Sequence, residues 1–224
     1  MNEGELTGQA QTHISALADP ECRLHAQVVK PFLNLRRAAR ADGIDLVPTS
    51  SFRDFARQLT IWNGKWSGAR PMLDAAGVQL DAASLTPARR IDAILLWSAL
   101  PGASRHHWGT DLDFIDRAAV AAEYQIKLTR EEFAPGGPFA ELDRWLEAHA
   151  ARFGFFRPFK GERSGVQPEP WHFSFAPISE RARRDLSPAV LQAAIEGAPL
   201  LGKEAVLARL DELHARYVAR IDWP

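Results

Sequence analysis

Residues 104–114 read Ser-Arg-His-His-Trp-Gly-Thr-Asp-Leu-Asp-Phe, and this stretch decides the kind of fold that the chain can form. Leu112 alternates with Asp111 and Asp113, which predicts a β-strand with one apolar and one acidic face. Two histidines stand shortly before the acidic residues. Gly109 lies between the histidines and the strand, where a residue without a side chain permits a tight bend. The stretch therefore predicts a strand that begins beside two imidazoles.

A second strand is predicted by Trp171-His172-Phe173-Ser174-Phe175, in which apolar and polar side chains alternate. Glu169 stands three residues before His172, and on a regular strand this odd offset would put the two side chains on opposite faces. Pro170 indicates instead that Glu169 lies just before the strand, where the alternation does not apply. Ile44–Thr49 predicts a further short strand.

Most of the remaining pattern is helical. Apolar residues recur at helical spacing in five segments: Leu24–Ala41, Phe52–Trp66, Pro87–Ala99, Phe139–Phe153 and Lys203–Arg220. Helices and short strands are mixed without a regular βαβ alternation, so we predict an α+β fold in which helices flank a small antiparallel sheet. No linker or repeat divides the chain. This predicts a single domain over residues 1–224, with a motif-bearing core at about 49–176 and a C-terminal helical extension at about 188–220.

The composition excludes several classes of protein and of metal site. The 224 residues are 46% hydrophobic and 25% charged, which is typical of a folded globular chain. The formal net charge of -1 gives no electrostatic reason to expect a nucleic acid partner. Cys22 is the only cysteine, so an intramolecular disulfide and a zinc site with two or more thiolates are both excluded. A metal site would therefore have to use imidazole and carboxylate groups.

The sequence carries no signal for a membrane or for secretion. No stretch approaches the roughly 20 consecutive apolar residues that a membrane-spanning helix needs. The first residues, Met1–Leu6, lack the basic and apolar segments of a secretory leader. The compartment is left open: the sequence as it stands reads as cytoplasmic, and action in the periplasm or cell wall is equally compatible with it. The oligomeric state is also left open.

The segments Ser104–Asp113 and Glu169–His172 together offer imidazoles and carboxylates without a thiol. A catalytic zinc ion typically has three protein ligands and keeps its fourth position for water, and two histidines with one aspartate meet that number. A nearby carboxylate must then accept a proton from the water, and Glu169 is the candidate for this base. Residue types and spacing alone leave other interpretations open. The aspartates could line a solvated strand face, and the tryptophans near these motifs could be core packing or an aromatic wall around a substrate.

Three motifs together resemble the signature of a known enzyme family. Ser104-x-His106-x-x-Gly-x-x-x-Asp113, followed by Glu-Pro-Trp-His at 169–172, is similar to the signature of the zinc D,D-peptidases, which include D-alanyl-D-alanine carboxypeptidases of the VanY type and dipeptidases. Residues 51–58, Ser-Phe-Arg-Asp-Phe-Ala-Arg-Gln, resemble the upstream Ser-Gly-Tyr/Phe-Arg-Ser-x-x-x-Gln motif of that family. The sequence departs from this motif at Ser51, in place of glycine, and at Asp54, in place of serine. The resemblance spans about 49–176.

The resemblance implies a role for each matching residue. It implies Zn²⁺ as cofactor, held by His106, Asp113 and His172, with Glu169 as general base. Arg53 would stabilise the developing oxyanion, because a permanently charged guanidinium beside the reacting carbonyl favours the tetrahedral state. Ser104 and Gln58 would bind substrate. The fold expected from the resemblance is that of the Hedgehog and D,D-peptidase group, with the zinc site on the small sheet.

The implied substrates are peptidoglycan stem peptides or muropeptide fragments, and the favoured activity is that of a D-alanyl-D-alanine carboxypeptidase. An L-alanyl-D-glutamate endopeptidase or a D-Ala-D-Ala dipeptidase is the main alternative, because the motifs set the chemistry while loops select the bond. The loops Arg117–Gly137 and Lys160–Gln167 would make that selection. An alternative from another class is a non-catalytic cell-wall-binding module in which zinc is structural.

Two residues compete with the proposed ligands. An extended backbone would point the side chain of His107 away from that of His106. Asp111 shares a strand face with Asp113, so its carboxylate could orient a ligand imidazole without touching the metal.

Overall fold

The computed structural model describes residues 1–223 and has ten α-helices and eight strands in that range. In chain order the elements are α1 Glu3–Leu6, β1 Ile14–Ala18, β2 Glu21–His25, α2 Val29–Ala41, β3 Leu46–Ser50, α3 Phe55–Trp66, β4 Met72–Leu73, β5 Gln79–Leu80, α4 Pro87–Leu95, β6 Asp111–Asp116, α5 Arg130–Phe133, α6 Ala140–His149, β7 Phe155–Phe156, β8 His172–Phe175, α7 Ala176–Asp185, α8 Pro188–Glu196, α9 Lys203–Leu207 and α10 Leu210–His214. A 3₁₀ turn covers Arg105–Trp108, and a π-helical turn, Ala215–Ala219, follows α10.

The central sheet has four antiparallel strands in the order β3-β6-β8-β7. In the β6-β8 pair, Asp113 lies opposite His172 and Asp111 lies opposite Ser174. Opposite residues of an antiparallel pair share a face, as do residues two apart on one strand. The register therefore gathers these four polar side chains on one face of the sheet, although about sixty residues separate the two strands.

The other face of the central sheet is apolar. Leu112, Phe114 and Phe173 pack there in a buried cluster that also contains Phe32 of α2 and Leu142 of α6. A second buried cluster joins Trp62 of α3 and Ile91 of α4 to the C-terminal helices through Leu191, Val206 and Leu213. The α+β class with a small antiparallel sheet between helices is confirmed, whereas the assignment of the chain to one domain with a core and an extension stays a prediction.

Two of the predicted helices are wrong at important points. The segment Leu24–Ala41 becomes helical only at Val29, because Leu24 lies in β2, which pairs with β1 in a hairpin that was not predicted. The continuous helix over Lys203–Arg220 is interrupted at Arg209, whose guanidinium bonds Asp92 of α4 and Glu212. The backbone of Arg209 leaves the helical conformation there, with φ -118° and ψ 12°, so a pattern with good helical spacing folds as short pieces.

The other predicted helices differ only at their ends. Helix α3 begins at Phe55 because the side chain of Asp54 accepts a hydrogen bond from the Arg57 backbone N–H at 2.7 Å. The departure from the resembled motif at Asp54 is thus the helix N-cap, a position that aspartate and serine both fill well. Helix α4 ends at Leu95 rather than at Ala99. Within residues 1–223, no helix combines the length and the apolar character needed to cross a membrane.

Candidate metal centre

Three of the predicted site residues meet at one end of the central sheet. His106 lies in the 3₁₀ turn, Asp113 in β6 and His172 at the start of β8, and one ligand atom from each lies within 4.8 Å of the others. His106 Nε2 is 3.5 Å from Asp113 Oδ2, and His172 Nδ1 is 3.3 Å from Asp113 Oδ1. The side chains of all three residues are buried.

Gly109 makes the approach of His106 to the strand possible. Its φ angle is +65°, in the left-handed region that favours glycine, and a Cβ atom there would lie 2.5 Å from the His25 backbone nitrogen. The backbone N–H of His25 donates to the Gly109 carbonyl at 2.8 Å. The predicted tight bend is confirmed, and it is closed against the β1-β2 hairpin.

Hydrogen bonds select which nitrogen of each ligand histidine is free. Nδ1–H of His106 donates to the Ser51 carbonyl at 2.9 Å, which leaves Nε2 free on the side of Asp113. Nε2–H of His172 donates to Asp111 Oδ1 at 2.9 Å, which leaves Nδ1 free between Asp113 and Glu169. Both free lone pairs therefore face the same space, which is the arrangement that a metal requires.

Asp111 orients His172 through a buried network. The carboxylate is 0% exposed and accepts hydrogen bonds from Arg105 Nε at 2.8 Å, Thr110 Oγ1 at 2.6 Å and Ser174 Oγ at 3.0 Å. Burial alone would raise the pKa of Asp111, but the charge of Arg105 and the bond from His172 hold that pKa well below its usual range. The expectation that Asp111 could orient a ligand imidazole agrees with this geometry.

Replacing Asp111 by asparagine is expected to destabilise the fold itself. The substitution leaves the buried Arg105 guanidinium without its counter-ion, and loss of one partner of a buried ion pair typically costs about 3–5 kcal/mol. Asp111→Asn should therefore lower the free energy of unfolding of the metal-free protein by about that amount in a urea titration followed by circular dichroism. A metal-free variant as stable as the wild type would contradict a structural role for this ion pair.

His107 takes no part in the metal centre. Its Nδ1–H donates to the Arg53 carbonyl at 2.6 Å, and its Nε2 accepts from the Gly102 backbone N–H at 3.1 Å. Burial lowers the pKa of His107 to about 3, so the ring stays neutral. The backbone at His107 is a 3₁₀ turn rather than the extended segment that was expected, but its side chain still points away from the proposed ligands. It joins the loop before α3 to the loop after α4.

Glu169 lies just before β8, beside the three proposed ligands. Its Oε2 is 3.2 Å from His172 Nδ1, and its backbone N–H donates to the Phe159 carbonyl at 3.0 Å. Burial raises the pKa of Glu169, although His172 and Arg53 oppose that shift. The preceding loop is held by Asp222, whose carboxylate accepts from the backbone N–H groups of residues 160 and 161 at 2.6 and 3.1 Å.

Arg53 reaches the same site from the loop before α3. Its Nη1 donates to Gln58 Oε1 at 2.8 Å, and its Nη2 donates to Ser50 Oγ at 3.0 Å. Gln58 is fully buried, and its amide nitrogen donates to the Ala99 carbonyl at 2.7 Å. These contacts favour a role for Gln58 in positioning Arg53, and substrate binding by Gln58 stays a prediction.

A cavity of about 320 Å³ opens over the centre. Arg53, Ser104, Glu169 and the three proposed ligands all lie on its wall. Each of the two loops that were expected to select the bond contributes an apolar side chain, Leu128 and Val166. Of the tryptophans near the motifs, two line the cavity, Trp97 and Trp171, and two are fully buried in the core, Trp62 and Trp108. The interpretation as an aromatic wall therefore fits Trp97 and Trp171, and the interpretation as core packing fits Trp62 and Trp108.

The residues at this centre fit a divalent cation. Asp113 Oδ1 is buried, and no residue within 1–223 hydrogen-bonds to it, the nearest donor-type atom being His172 Nδ1 at 3.3 Å. Asp113 and Glu169 bring two buried carboxylates to the site, and Arg53 is the cation that faces both. Two imidazole nitrogens and a carboxylate oxygen are the donors that zinc takes when a position is kept open for chemistry.

Zinc affinity is expected to rise with pH, because a proton competes for His172 Nδ1. Burial would lower the pKa of His172, but its hydrogen bond to Asp111 and the nearby carboxylates of Asp113 and Glu169 raise that pKa well above its ordinary value. Burial lowers the pKa of His106 to about 4, so that ring is already neutral. Below the pKa of His172, affinity should rise about tenfold per pH unit, with release of about one proton per zinc ion. Calorimetry in buffers of different ionisation enthalpy measures both quantities, and an affinity independent of pH would contradict the assignment.

Some residues of the centre were not found from the sequence. Arg105, Ser50 and Ser174 hold the predicted residues in place, and Tyr217 joins the cavity wall from the C-terminal segment. Ser174 could have been found from the sequence, because it lies two residues after His172 and therefore on the same face of β8. No pattern in the sequence points to Arg105, Ser50 or Tyr217, because their contacts depend on how distant segments pack.

A family model described as VanY: D-alanyl-D-alanine carboxypeptidase matches residues 21–178. A D-alanyl-D-alanine carboxypeptidase of Enterococcus faecalis is 29% identical over 154 residues, which cover 67% of this chain and 47% of that protein. An uncharacterised protein of Haemophilus influenzae is 34% identical over 121 residues, which cover 53% of this chain and 92% of that protein.

Solved structures have the same fold. A VanY D,D-pentapeptidase from a VanB-type vancomycin resistance cassette, in variant form and in complex with Zn(II), aligns with a TM-score of 0.53 and 25% identity. The alignment covers 86% of this chain and 88% of that chain. VanYB in complex with D-alanine-D-alanine aligns with a TM-score of 0.55 and 24% identity, covering 88% of this chain and 90% of that chain.

Proposed function

Because this chain belongs to the VanY family of D-alanyl-D-alanine carboxypeptidases, it is a peptidase, and we propose that it removes the C-terminal D-alanine from peptidoglycan stem peptides in a zinc-dependent reaction. One observation carries the proposal. His106, Asp113 and His172 converge within 4.8 Å in a cavity that also holds a buried carboxylate and a guanidinium. The curated relative from Enterococcus faecalis has the same described activity.

We assign the metal to His106 Nε2, Asp113 and His172 Nδ1, and the Zn(II) held by the VanY neighbour supports zinc as the ion. When bound, zinc would supply Lewis-acid chemistry, since it polarises a carbonyl and lowers the pKa of water to about 7. The chain provides the rest. Asp111 keeps the ring of His172 in the required tautomer, and the Ser51 carbonyl does the same for His106.

Glu169 is assigned as the general base. Its carboxylate lies beside the proposed ligands and accepts the proton of the attacking water, then passes that proton to the leaving amine of the released D-alanine. Burial raises the pKa of Glu169, against the opposing effects of His172 and Arg53. A carboxylate with a raised pKa holds a proton long enough to transfer it to the amine, which an ordinary exposed glutamate does poorly.

Arg53 is assigned to the oxyanion, and Arg53→Lys tests this assignment. The guanidinium is held through both Nη atoms, so its charge is fixed in place before substrate arrives. A lysine keeps the charge but cannot make both bonds at once. We expect kcat to fall about 100-fold with zinc affinity unchanged, as measured by steady-state hydrolysis and metal titration. An Arg53→Lys enzyme with wild-type kcat would contradict the assignment.

Defined muropeptides test the proposed function directly. Zinc-loaded protein is incubated with tripeptide, tetrapeptide and pentapeptide stems and with free D-Ala-D-Ala, with and without chelator, and the products are identified by mass. Loss of the mass of one alanine from the pentapeptide, abolished by chelator, is the expected result. Cleavage between L-alanine and D-glutamate would identify an endopeptidase instead, and release of D-alanine from free D-Ala-D-Ala would identify a dipeptidase. No metal-dependent product from any stem would favour a binding module.

A further inference from the structure

One residue of the loop before α5 has an unusual backbone conformation. Leu128 has a φ angle of +53°, and every other positive φ angle within residues 1–223 belongs to a glycine. The left-handed region is unfavourable for a residue with a Cβ atom, and more so for a bulky one. Such conformations persist only where the surroundings hold them, and they concentrate at catalytic and ligand-binding sites. Leu128 is therefore a strained residue that the rest of the loop must hold in place.

The carboxylate of Glu132 holds the backbone on both sides of Leu128. Its Oε1 accepts a hydrogen bond from the Lys127 backbone N–H at 3.1 Å, and its Oε2 accepts one from the Thr129 backbone N–H at 3.1 Å. The Tyr124 hydroxyl donates to Oε1 at 2.9 Å. Glu132 is only 6% exposed, so little water competes for these bonds. The loop is thus fixed at the two residues that flank the left-handed leucine.

The side chain of Leu128 lies on the wall of the cavity over the metal centre. It is partly buried, and it packs against the apolar cluster that includes Trp171, which lines the same cavity. A glycine would take the same backbone conformation without strain. The chain instead carries an isobutyl group at this point, and the strained backbone places that group in the cavity wall.

The cavity offers different surfaces to different parts of a peptide. The proposed zinc ligands and Arg53 are polar or charged, and they suit the reacting carbonyl. Leu128 offers only carbon and hydrogen, so it can face an apolar substrate side chain but not a charged group. A branched side chain also takes up space in a cavity of about 320 Å³, and occupied space is one way in which a site rejects a larger competitor.

We infer that Leu128 is a specificity-determining residue, held by Glu132 in a left-handed conformation so that its side chain limits the size of the substrate side chains beside the scissile bond. Alanine, whose side chain is a single methyl group, satisfies this limit. The inference rests on the proposed function, and it names a residue through which the same site selects alanine.

Leu128→Ala tests the inference, and Leu207→Ala is the matched control. Leu207 is also a partly buried leucine packed against a buried cluster, and it lies outside the cavity. The value of kcat/KM is measured for pentapeptide stems that end in D-Ala-D-Ala and for stems in which D-norvaline replaces the last or the next-to-last alanine. We expect Leu128→Ala to raise the ratio of kcat/KM for norvaline to that for alanine at least about tenfold at one of these positions, because norvaline is two methylene groups longer. Leu207→Ala should leave both ratios unchanged, and both variants should keep the zinc content of the wild type.

Leu128→Gly tests the strain separately. Glycine and alanine both remove the isobutyl group, but only glycine takes a φ angle of +53° without strain. We therefore expect a higher melting temperature Tm for Leu128→Gly than for Leu128→Ala, the reverse of the order at an ordinary loop position. The selectivity of Leu128→Gly should relax as far as that of Leu128→Ala.

Two results would overturn the inference. One is a norvaline-to-alanine ratio for Leu128→Ala within twofold of the wild-type ratio at both positions. The other is a lower Tm for Leu128→Gly than for Leu128→Ala, which would show that Leu128 is not held in a strained conformation. A wild type that releases no D-alanine from the pentapeptide stem would contradict the proposed function instead, and the inference would fall with it.

Discussion

Glu169→Gln is expected to lower kcat for the pentapeptide stem by about 10³-fold or more while the protein still binds zinc. The amide has the shape of the carboxylate but cannot accept a proton, and general acid–base catalysis typically contributes about 10²–10⁴-fold. Zinc binding should survive, because the triad of His106, Asp113 and His172 does not include Glu169. The fold should also survive, since the substitution removes a buried charge whose pKa burial already raises.

Glu162→Gln is the matched control for this experiment. Glu162 is exposed in the same loop that leads to Glu169, so its substitution removes one carboxylate from the loop without reaching the cavity. Its kcat should equal that of the wild type. Full activity of Glu169→Gln would refute the assignment of the base, and loss of zinc from that variant would make Glu169 a ligand instead.

Asp113→Asn should abolish activity by a different route, through loss of the metal. A neutral amide is a poor ligand, and we expect zinc affinity to fall by more than about 100-fold, since loss of a group that only orients a ligand already costs 10–100-fold. In the metal-free protein Asp113 faces the imidazoles of His106 and His172 rather than a buried arginine, so this variant should lose less stability in urea than Asp111→Asn. Zinc titration and urea unfolding measure the two effects separately.

Comparing Asp111→Asn with Asp113→Asn distinguishes loss of stability from loss of the metal. Asp111→Asn should lose stability without metal, because Arg105 is left unpaired, whereas Asp113→Asn should lose the metal with a smaller loss of stability. His149→Ala serves as a control for loss of an imidazole, since that side chain packs on Trp145, away from the cavity. If Asp113→Asn kept wild-type zinc affinity, the ligand set would be wrong.

Much of the local structure was predictable because local patterns decide it. The alternation at 111–114 and 171–175 predicted β6 and β8, and Gly109 predicted the bend that leads from His106 into β6. The hairpin of β1 and β2 was missed because Ile14–Ala18 has Ser15 as its one polar residue and contains no buried residue, so no alternation of apolar and polar side chains marks it. The last helix was overextended because nothing near Arg209 in the sequence points to Asp92, its partner on α4.

The candidate site, like the fold, was predictable from the sequence only in part. By itself, the sequence determined which residue types could hold a metal, where the two strands run and which family the chain resembles, because those depend on neighbours within a few positions. Only the tertiary structure decided that His106 rather than His107 faces Asp113, that Arg105 and Ser174 hold Asp111, and that Tyr217 closes the cavity. The physical reason is that these contacts join strands and helices separated by up to about 110 residues. The register of the sheet and the packing of the C-terminal helices set such distances, and no short pattern encodes them.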